Sequence, residues 1–362
     1  MSTLRKLATA TLVLATAAGL TACAETEAPA AGGGAGADTS TARIAFLMPD
    51  IASTRYELYD RPLFEAKVKE LCAGCEVVYA NADADASQQQ QQANSALAQG
   101  VSAIVLDPVD STAAASIVTT AQAQGVPVIA YDRPIPDVPA DFYVSFDNEA
   151  IGAMIAQSLV DRLRATGAQG GLLQVNGSPT DAAAGLIKDG IHSAIDPSGI
   201  PLLAEFDTPD WTPSEAQDWV SGQITQYGPQ IAGVVAANDG TGGGAIAAFK
   251  AAGVTPVPPV TGNDSELAAA QRILAGDQYN TISKPIRIVA EAAAERAIQF
   301  VNGERPQGTS TLFDTPTELF MPTVVTVDNL QEVLLESGEL DAAEVCTAEY
   351  AAACAAAGID AS

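Results

Sequence analysis

The residues able to do chemistry in this chain sit where short apolar runs stop on polar side chains. Val126–Tyr131 ends in Asp132-Arg133, and Ile231–Ala236 is followed shortly by Asn238-Asp239. Val257–Thr261 ends near Asn263-Asp264, and Lys284 closes a further short run. Arg55 and Tyr56 follow the first apolar run, Arg43–Met48. Apolar runs of this length rich in β-branched residues read as strands buried on both faces, and ligands of parallel α/β sheets bind beyond the carboxyl ends of such strands. Carboxylates and amides mixed with Arg and Lys suit a polyhydroxylated ligand, because each hydroxyl both donates and accepts hydrogen bonds. Trp211 and Tyr56 are the aromatic side chains available to cover an apolar ring face.

Other chemistries are open to the same residues. Gly240-Thr-Gly-Gly-Gly-Ala245 follows a strand, opens a helix and has Asp264 two dozen residues on, the pattern of a dinucleotide fingerprint. Against it, Asn238-Asp239 occupies the strand exit where the first glycine should turn the chain. No GxxxxGK[ST] occurs, so a P-loop is absent. His192 is the single histidine, which rules out a multi-histidine relay or metal site; its place in a helix between Ile191 and Ile195 suits a helix surface.

The elements that must carry these residues alternate. Apolar runs and helix-length segments alternate from Arg43 to Leu106, through Val126–Tyr131, and again from Ala150 to Leu274. Ser111 or Thr112 is placed to cap the helix that runs to Gln124. A helix is expected over Ala245–Ala252, a strand over Val257–Thr261, and an exposed helix over the glutamines of Ser87–Gln99. Such alternation implies parallel sheets covered by helices on both faces. The rhythm breaks once, where Phe142–Phe146 follows Tyr131 without a helix. The break is expected to mark a crossing between two α/β lobes.

Bulk properties agree with an exported two-domain protein. The chain has 362 residues, 17 Lys and Arg, 44 Asp and Glu, and a net charge of −27. Residues 1–22 read as a secretory signal, with Arg5 and Lys6 ahead of an apolar segment from Leu7 to Leu20. It ends in Leu20-Thr-Ala-Cys23, which resembles a lipoprotein processing box with Cys23 as the lipidated residue. Cleavage there removes two cations and no acid, leaving −29, which argues against nucleic-acid binding. Residues 23–42, rich in Ala and Gly, read as a flexible tether with a reach of about 25 Å. Cys72, Cys75, Cys346 and Cys354 remain; in an oxidising compartment they are expected to pair as Cys72–Cys75 and Cys346–Cys354. A straight helix would hold the second pair about 12 Å apart. A bridge therefore requires the tail to bend. A zinc site of four thiolates is the alternative use of the CxxC.

With these residues in view, the chain resembles the periplasmic sugar-binding proteins of ABC importers, closest to their xylose-binding branch. The resemblance rests on RIAFLMPD with Thr54-Arg55-Tyr56, VLDPVD, AYDRPI, YVSFDNE, GSPTD, AANDGTGGGAI, GNDSE and ISKPI, in order from Arg43 to Leu335. It implies two doubly wound parallel-sheet lobes joined by a three-crossover hinge. The expected lobes are 43–147 with 285–320 and 148–284 with 321–335, followed by a cysteine-bearing tail over 336–362. It further implies that Arg55, Asp132, Arg133, Asn238, Asp264 and Lys284 hydrogen-bond sugar hydroxyls while Tyr56 and Trp211 stack on the ring. Ala182 and Ala183 stand where an asparagine is expected, so one contact of the second lobe is expected to be missing. The implied function is a lipid-anchored, extracytoplasmic monomer without cofactor, metal or catalysis. It would deliver a monosaccharide, D-xylose foremost, to an ABC permease and its ATPase. A sugar receptor feeding a signalling partner and an exported nucleotide-cofactor oxidoreductase are the other readings.

Overall fold

The structure, a computed structural model, describes residues 41–359. The expected signal segment, Cys23 and the tether up to residue 40 lie outside the described residues. The body begins before residue 43: Ala42 is buried in the core and its carbonyl accepts from the Glu76 amide.

The first lobe is built on β1 (Arg43–Met48), β2 (Glu76–Asn81), β3 (Ala103–Leu106), β4 (Val128–Tyr131) and β5 (Phe142–Phe146). β10 (Ser310–Leu312) and β11 (Thr315–Phe320) complete a seven-stranded sheet in the order β10-β11-β5-β4-β3-β1-β2. Every neighbour pair is parallel except the β10–β11 hairpin at the edge. Period-two alternation sends the side chains of β1 to opposite faces. Ile44, Phe46 and Met48 join the core under α1 (Arg61–Leu71) and α9 (Ile286–Val301). Ala45 and Leu47 join a second core under α2 (Ala86–Ala98) and α3 (Ala115–Ala123). Phe46 stacks on Phe64 of α1 with ring centroids 4.1 Å apart.

The second lobe has β7 (Leu202–Asp207), β6 (Gly171–Asn176) and β8 (Ile231–Ala236) paired in parallel in that order. β9 (Thr281–Ser283) pairs antiparallel with β12 (Thr323–Val325). Around them lie α4 (Asn148–Thr166), α5 (Ala182–Ile195), α6 (Pro213–Tyr227), α7 (Asp239–Ala251) and α8 (Leu267–Ala275). Over the described residues the chain passes between lobes three times: between Phe146 and Asn148, between Ser283 and Ile286, and between Phe320 and Thr323. α4 and α5 cross at contact distance because Gly152 and Gly190 have no side chains. A Cβ would stand 1.9 Å from the Ile187 carbonyl oxygen at Gly152, and 2.1 Å from that of Glu149 at Gly190.

Three local expectations are corrected. α7 starts at Asp239 rather than Ala245, so the glycines lie inside its first turns. They permit close packing: a Cβ would lie 2.7 Å from the Thr261 carbonyl oxygen at Gly242 and 2.2 Å from that of Pro213 at Gly244. Val257–Thr261 makes a single bridge, Val234 to Val260, because Pro256, Pro258 and Pro259 carry no amide donor for a ladder. Asp110, not Ser111 or Thr112, turns the chain into α3, its Oδ1 accepting from the Thr112 and Ala113 amides.

Both disulfides are present, with Cα–Cα distances of 5.3 Å for Cys72–Cys75 and 5.9 Å for Cys346–Cys354. The tail bends between α10 (Ala342–Val345) and α11 (Ala351–Ala356), which brings the second pair within reach. Leu340, Val345, Cys354 and Ile359 bury themselves with Ala270, Ile273 and Leu274 of α8. Among the described residues no cluster of His, Cys, Asp and Glu could hold a metal ion, and no helix is long and apolar enough to cross a membrane.

Candidate functional site

All eight residues singled out in the sequence line one cleft between the lobes: Arg55, Tyr56, Asp132, Arg133, Trp211, Asn238, Asp264 and Lys284. The first four come from the ends of β1 and β4, the other four from the second lobe and its crossing. A π-helical turn over Tyr56–Asp60 follows Arg55, and both of its end residues are buried.

Arg55 is held on two sides. Its Nε and Nη2 donate to the two carboxylate oxygens of Asp60 at 3.1 and 2.8 Å, and its Nη1 reaches Asp132 Oδ2 at 3.3 Å. Asp60 is fully buried and also accepts from the Tyr131 hydroxyl. The bidentate fork fixes the guanidinium plane. That plane lies 5.1 Å from the centre of the Tyr56 ring.

Arg133 collects more carboxylates. Its Nη2 donates to Asp50 Oδ2 at 3.0 Å and to the Tyr56 hydroxyl at 3.4 Å, and its Nη1 donates to the Pro108 carbonyl at 3.2 Å. Its Nε lies 3.1 Å from Asp181 Oδ2 and 3.5 Å from Asp107 Oδ1. Asp181 belongs to the second lobe, where its Oδ1 caps α5 through the Ala183 amide and its Oδ2 accepts from the Trp211 indole at 3.0 Å. One carboxylate thus caps a helix, orients an aromatic ring and meets the opposite lobe. Trp211 lies flat against Gly177, where a Cβ would be 2.1 Å from the indole.

In the second lobe Lys284 Nζ pairs with Asp264 Oδ1 at 2.7 Å. Asn238 Oδ1 caps α7 through the Thr241 amide at 2.9 Å, so this helix end is already satisfied by its own side chain. Asp132, Trp211 and Asp264 hold positive φ values of 59°, 56° and 105°. Strain of this kind persists where the surroundings over-determine it, and here it marks three cleft residues.

The electrostatics are uneven. Burial opposes the charge on Asp132, but Arg55, Lys284 and Arg133 together hold its carboxyl below the usual carboxylate range. Burial pushes Asp107 well above that range and Asp181 upward, against the pull of Arg133 on both. Three cations, Arg55, Arg133 and Lys284, face six acids: Asp50, Asp60, Asp107, Asp132, Asp181 and Asp264. The cations are spoken for, so an anionic ligand would enter a site already short of positive charge. The buried Asn263 Oδ1, which borders the cleft, has no hydrogen-bond partner among the described residues.

Sequence reasoning missed Asp50, Asp60, Asp107 and Asp181. Asp50 and Asp107 follow β1 and β3 and obey the rule that found Asp132. Asp60 had no such signal, because only a π-helical turn brings it under Arg55. The expected gap at Ala182 and Ala183 is apolar wall: Ala183 and Ile187 line the cleft beside Asp181.

Comparison with known proteins places this geometry. The profile described as Periplasmic binding protein domain matches residues 44–305. The D-xylose-binding periplasmic protein of Escherichia coli K12 is 32% identical over 304 residues, 82% of this chain and 90% of that protein. The chain belongs to the periplasmic binding protein family. This binding protein is also 29% identical over 326 residues to the multiple sugar-binding periplasmic receptor ChvE of Rhizobium radiobacter, covering 83% of this chain and 91% of the receptor. Among solved structures, a carbohydrate transporter solute binding protein of Chloroflexus aurantiacus in complex with D-glucose superposes with a TM-score of 0.77. It is 25% identical, and the match covers 84% of this chain and 98% of that one. All three are named as binding proteins or receptors rather than enzymes, two of them as periplasmic, and the family is extracytoplasmic.

Proposed function

We propose that this binding protein captures a neutral monosaccharide between its lobes, D-xylose foremost, and hands it to an ABC permease and its ATPase while tethered through a lipid on Cys23. The observation that carries the reading is the charge balance of the cleft. Acids outnumber the three cations even with Asp107 holding its proton through burial, and the acids that line the cleft, Asp132, Asp181 and Asp264, offer a newcomer acceptors together with Asn263 Oδ1. Sugar hydroxyls supply donors without bringing negative charge. Arg55, Asp132, Arg133, Asn238, Asp264 and Lys284 are the polar contacts of this reading, and Tyr56 and Trp211 its ring-stacking surfaces. The names of the relatives support the ligand class: D-xylose for two of them, and several sugars for ChvE. The nucleotide reading draws no support from the cleft, since the α7 N-terminus is self-capped and the cations are neutralised.

Thermal unfolding in the presence of a panel of aldopentoses, aldohexoses and nucleotides tests the proposal. A ligand that binds only the folded state raises the melting temperature with its concentration. D-Xylose is expected to give the largest rise and nucleotides none. A rise with nucleotides alone would refute it.

A further inference from the structure

The cysteine-bearing tail sends one carboxylate back toward the cleft. Glu339 Oε2 accepts from the Ser283 hydroxyl at 2.6 Å. Ser265, the Lys284 amide and the Lys284 charge also act on the same carboxylate. Ser283 is the last residue of β9, where the chain leaves the second lobe, and Ser265 follows Asp264. Glu339 therefore holds Ser283, the chain neighbour of Lys284, while Ser265, the neighbour of Asp264, pulls its titration down. From the first lobe, Tyr59 on the π-helical turn beside Arg55 has its titration raised by burial and by the charges of Glu344 and Glu339. The tail that presents Glu339 is secured to α8, whose Gln271 Nε2 donates to the Glu344 and Val345 carbonyls at 3.1 and 3.4 Å, and it is closed by Cys346–Cys354.

We infer that Glu339 is a positioning residue for the ligand cleft: it fixes the Ser283-Lys284 crossing segment, and through it the Lys284 ammonium, in a geometry that holds ligand. The inference deepens the ligand-binding reading above and rests on it for its effect on affinity. A partly buried carboxylate suits the task because it accepts several donors at once and carries charge opposite to Lys284. Burial moves its titration into the working range, up to about 7, against the opposing pull of Ser283, Ser265 and Lys284. Above that point Glu339 is a charged acceptor; below it the proton weakens its hold on the crossing segment. Glu266, beside Asp264, also titrates at about 7 through burial, Asp264 and the opposing Arg272 and Arg55, so it is the competing source of any pH effect.

The test compares the wild type with Glu339→Gln, which keeps an acceptor oxygen for Ser283 and removes the charge, and with Glu266→Gln. Amide hydrogen exchange of the Lys284 amide reads the positioning without any ligand. It is expected to quicken roughly tenfold in Glu339→Gln at about pH 8, with no change in Glu266→Gln. Calorimetric titration with D-xylose is expected to show affinity rising roughly five- to tenfold from about pH 6 to about pH 8 in the wild type and in Glu266→Gln. In Glu339→Gln the affinity is expected to stay at the low-pH value throughout. Quickened exchange without sugar binding in any protein supports the positioning and refutes the ligand reading alone. Unchanged exchange in Glu339→Gln, or a pH slope that persists there and vanishes in Glu266→Gln, overturns the inference.

Discussion

Arg133 Nε of the first lobe lies 3.1 Å from Asp181 Oδ2 of the second, and this pair joins the lobes inside the cleft. Beside it, the Ser111 amide donates to the Thr180 carbonyl at 2.9 Å and the Ala182 amide donates to the Ser111 hydroxyl at 3.0 Å. The guanidinium is the shared counter-charge of Asp50, Asp107 and Asp181, which would otherwise repel one another.

Replacing Arg133 with Met keeps much of the volume and leaves those acids buried and uncompensated. Breaking such a cluster costs about 3–5 kcal/mol. Urea unfolding of Arg133→Met is expected to show that loss near neutral pH and a smaller one near pH 4, roughly the carboxylate range, where the acids can take up protons. Equal losses at both would contradict the assignment.

Trp211 reports on the second lobe. The residue is 9% exposed, and its indole donates to Asp181 and lies on Gly177. Gly177→Ala is expected to push the ring off its floor, red-shift its emission and weaken sugar binding, with a stability cost of about 1–3 kcal/mol from overpacking. An unchanged emission spectrum would count against this packing.

Gly190→Ala tests the contact of α4 with α5, which carries Ile187 to the cleft wall. The new methyl cannot fit 2.1 Å from the Glu149 carbonyl oxygen, so the helices must separate. A loss of about 1–3 kcal/mol in denaturant unfolding is expected, with weakened ligand affinity. An affinity identical to wild type would uncouple the helix pair from the cleft.

Stability should fall as pH rises from about 4.5 to about 7. Burial lifts Glu266 and Glu339 from 4.5 to about 7 in the folded protein, so in that window the folded state keeps protons that the unfolded chain has released. Asp107 and Asp239, lifted by burial, act in the same direction. Asp132 and Glu205, held low despite burial by Arg55 and by Lys188 respectively, oppose it only at lower pH, losing their contribution as pH falls through the carboxylate range. The urea midpoint should be higher near pH 5.5 than near pH 7.5, and the double variant Glu266→Gln, Glu339→Gln should flatten the difference, both values being roughly chosen to bracket the window. A midpoint that rises across the window would contradict these assignments.

Much of this arrangement can be read along the chain because it depends on local rules. A buried parallel strand needs an apolar run, and its exit must be polar, so Asp132, Arg133, Asn238 and Asp264 declare themselves. The rest depends on contacts that spacing does not encode. Asp60 reaches Arg55 only because Tyr56–Asp60 winds as a π turn, and Asp181 meets Arg133 only when two lobes approach. The glycines of α7 imitate a nucleotide loop in sequence. Their cause is packing: backbone carbonyls of Thr261 and Pro213 press where side chains would be. Prolines likewise reduced an apolar run at Val257–Thr261 to one bridge.

Calorimetric titration of D-xylose into the wild type and into Asp132→Asn reads whether the cleft holds a sugar through its charged side chains. Asparagine tolerates the positive φ of that position, so the variant removes charge while keeping shape. One sugar per chain at submicromolar affinity is expected in the wild type. In the variant a loss of roughly tenfold or more is expected, the scale of a hydrogen bond to a charged group. Absence of heat with D-xylose and every other monosaccharide, or equal affinity in both proteins, would contradict it.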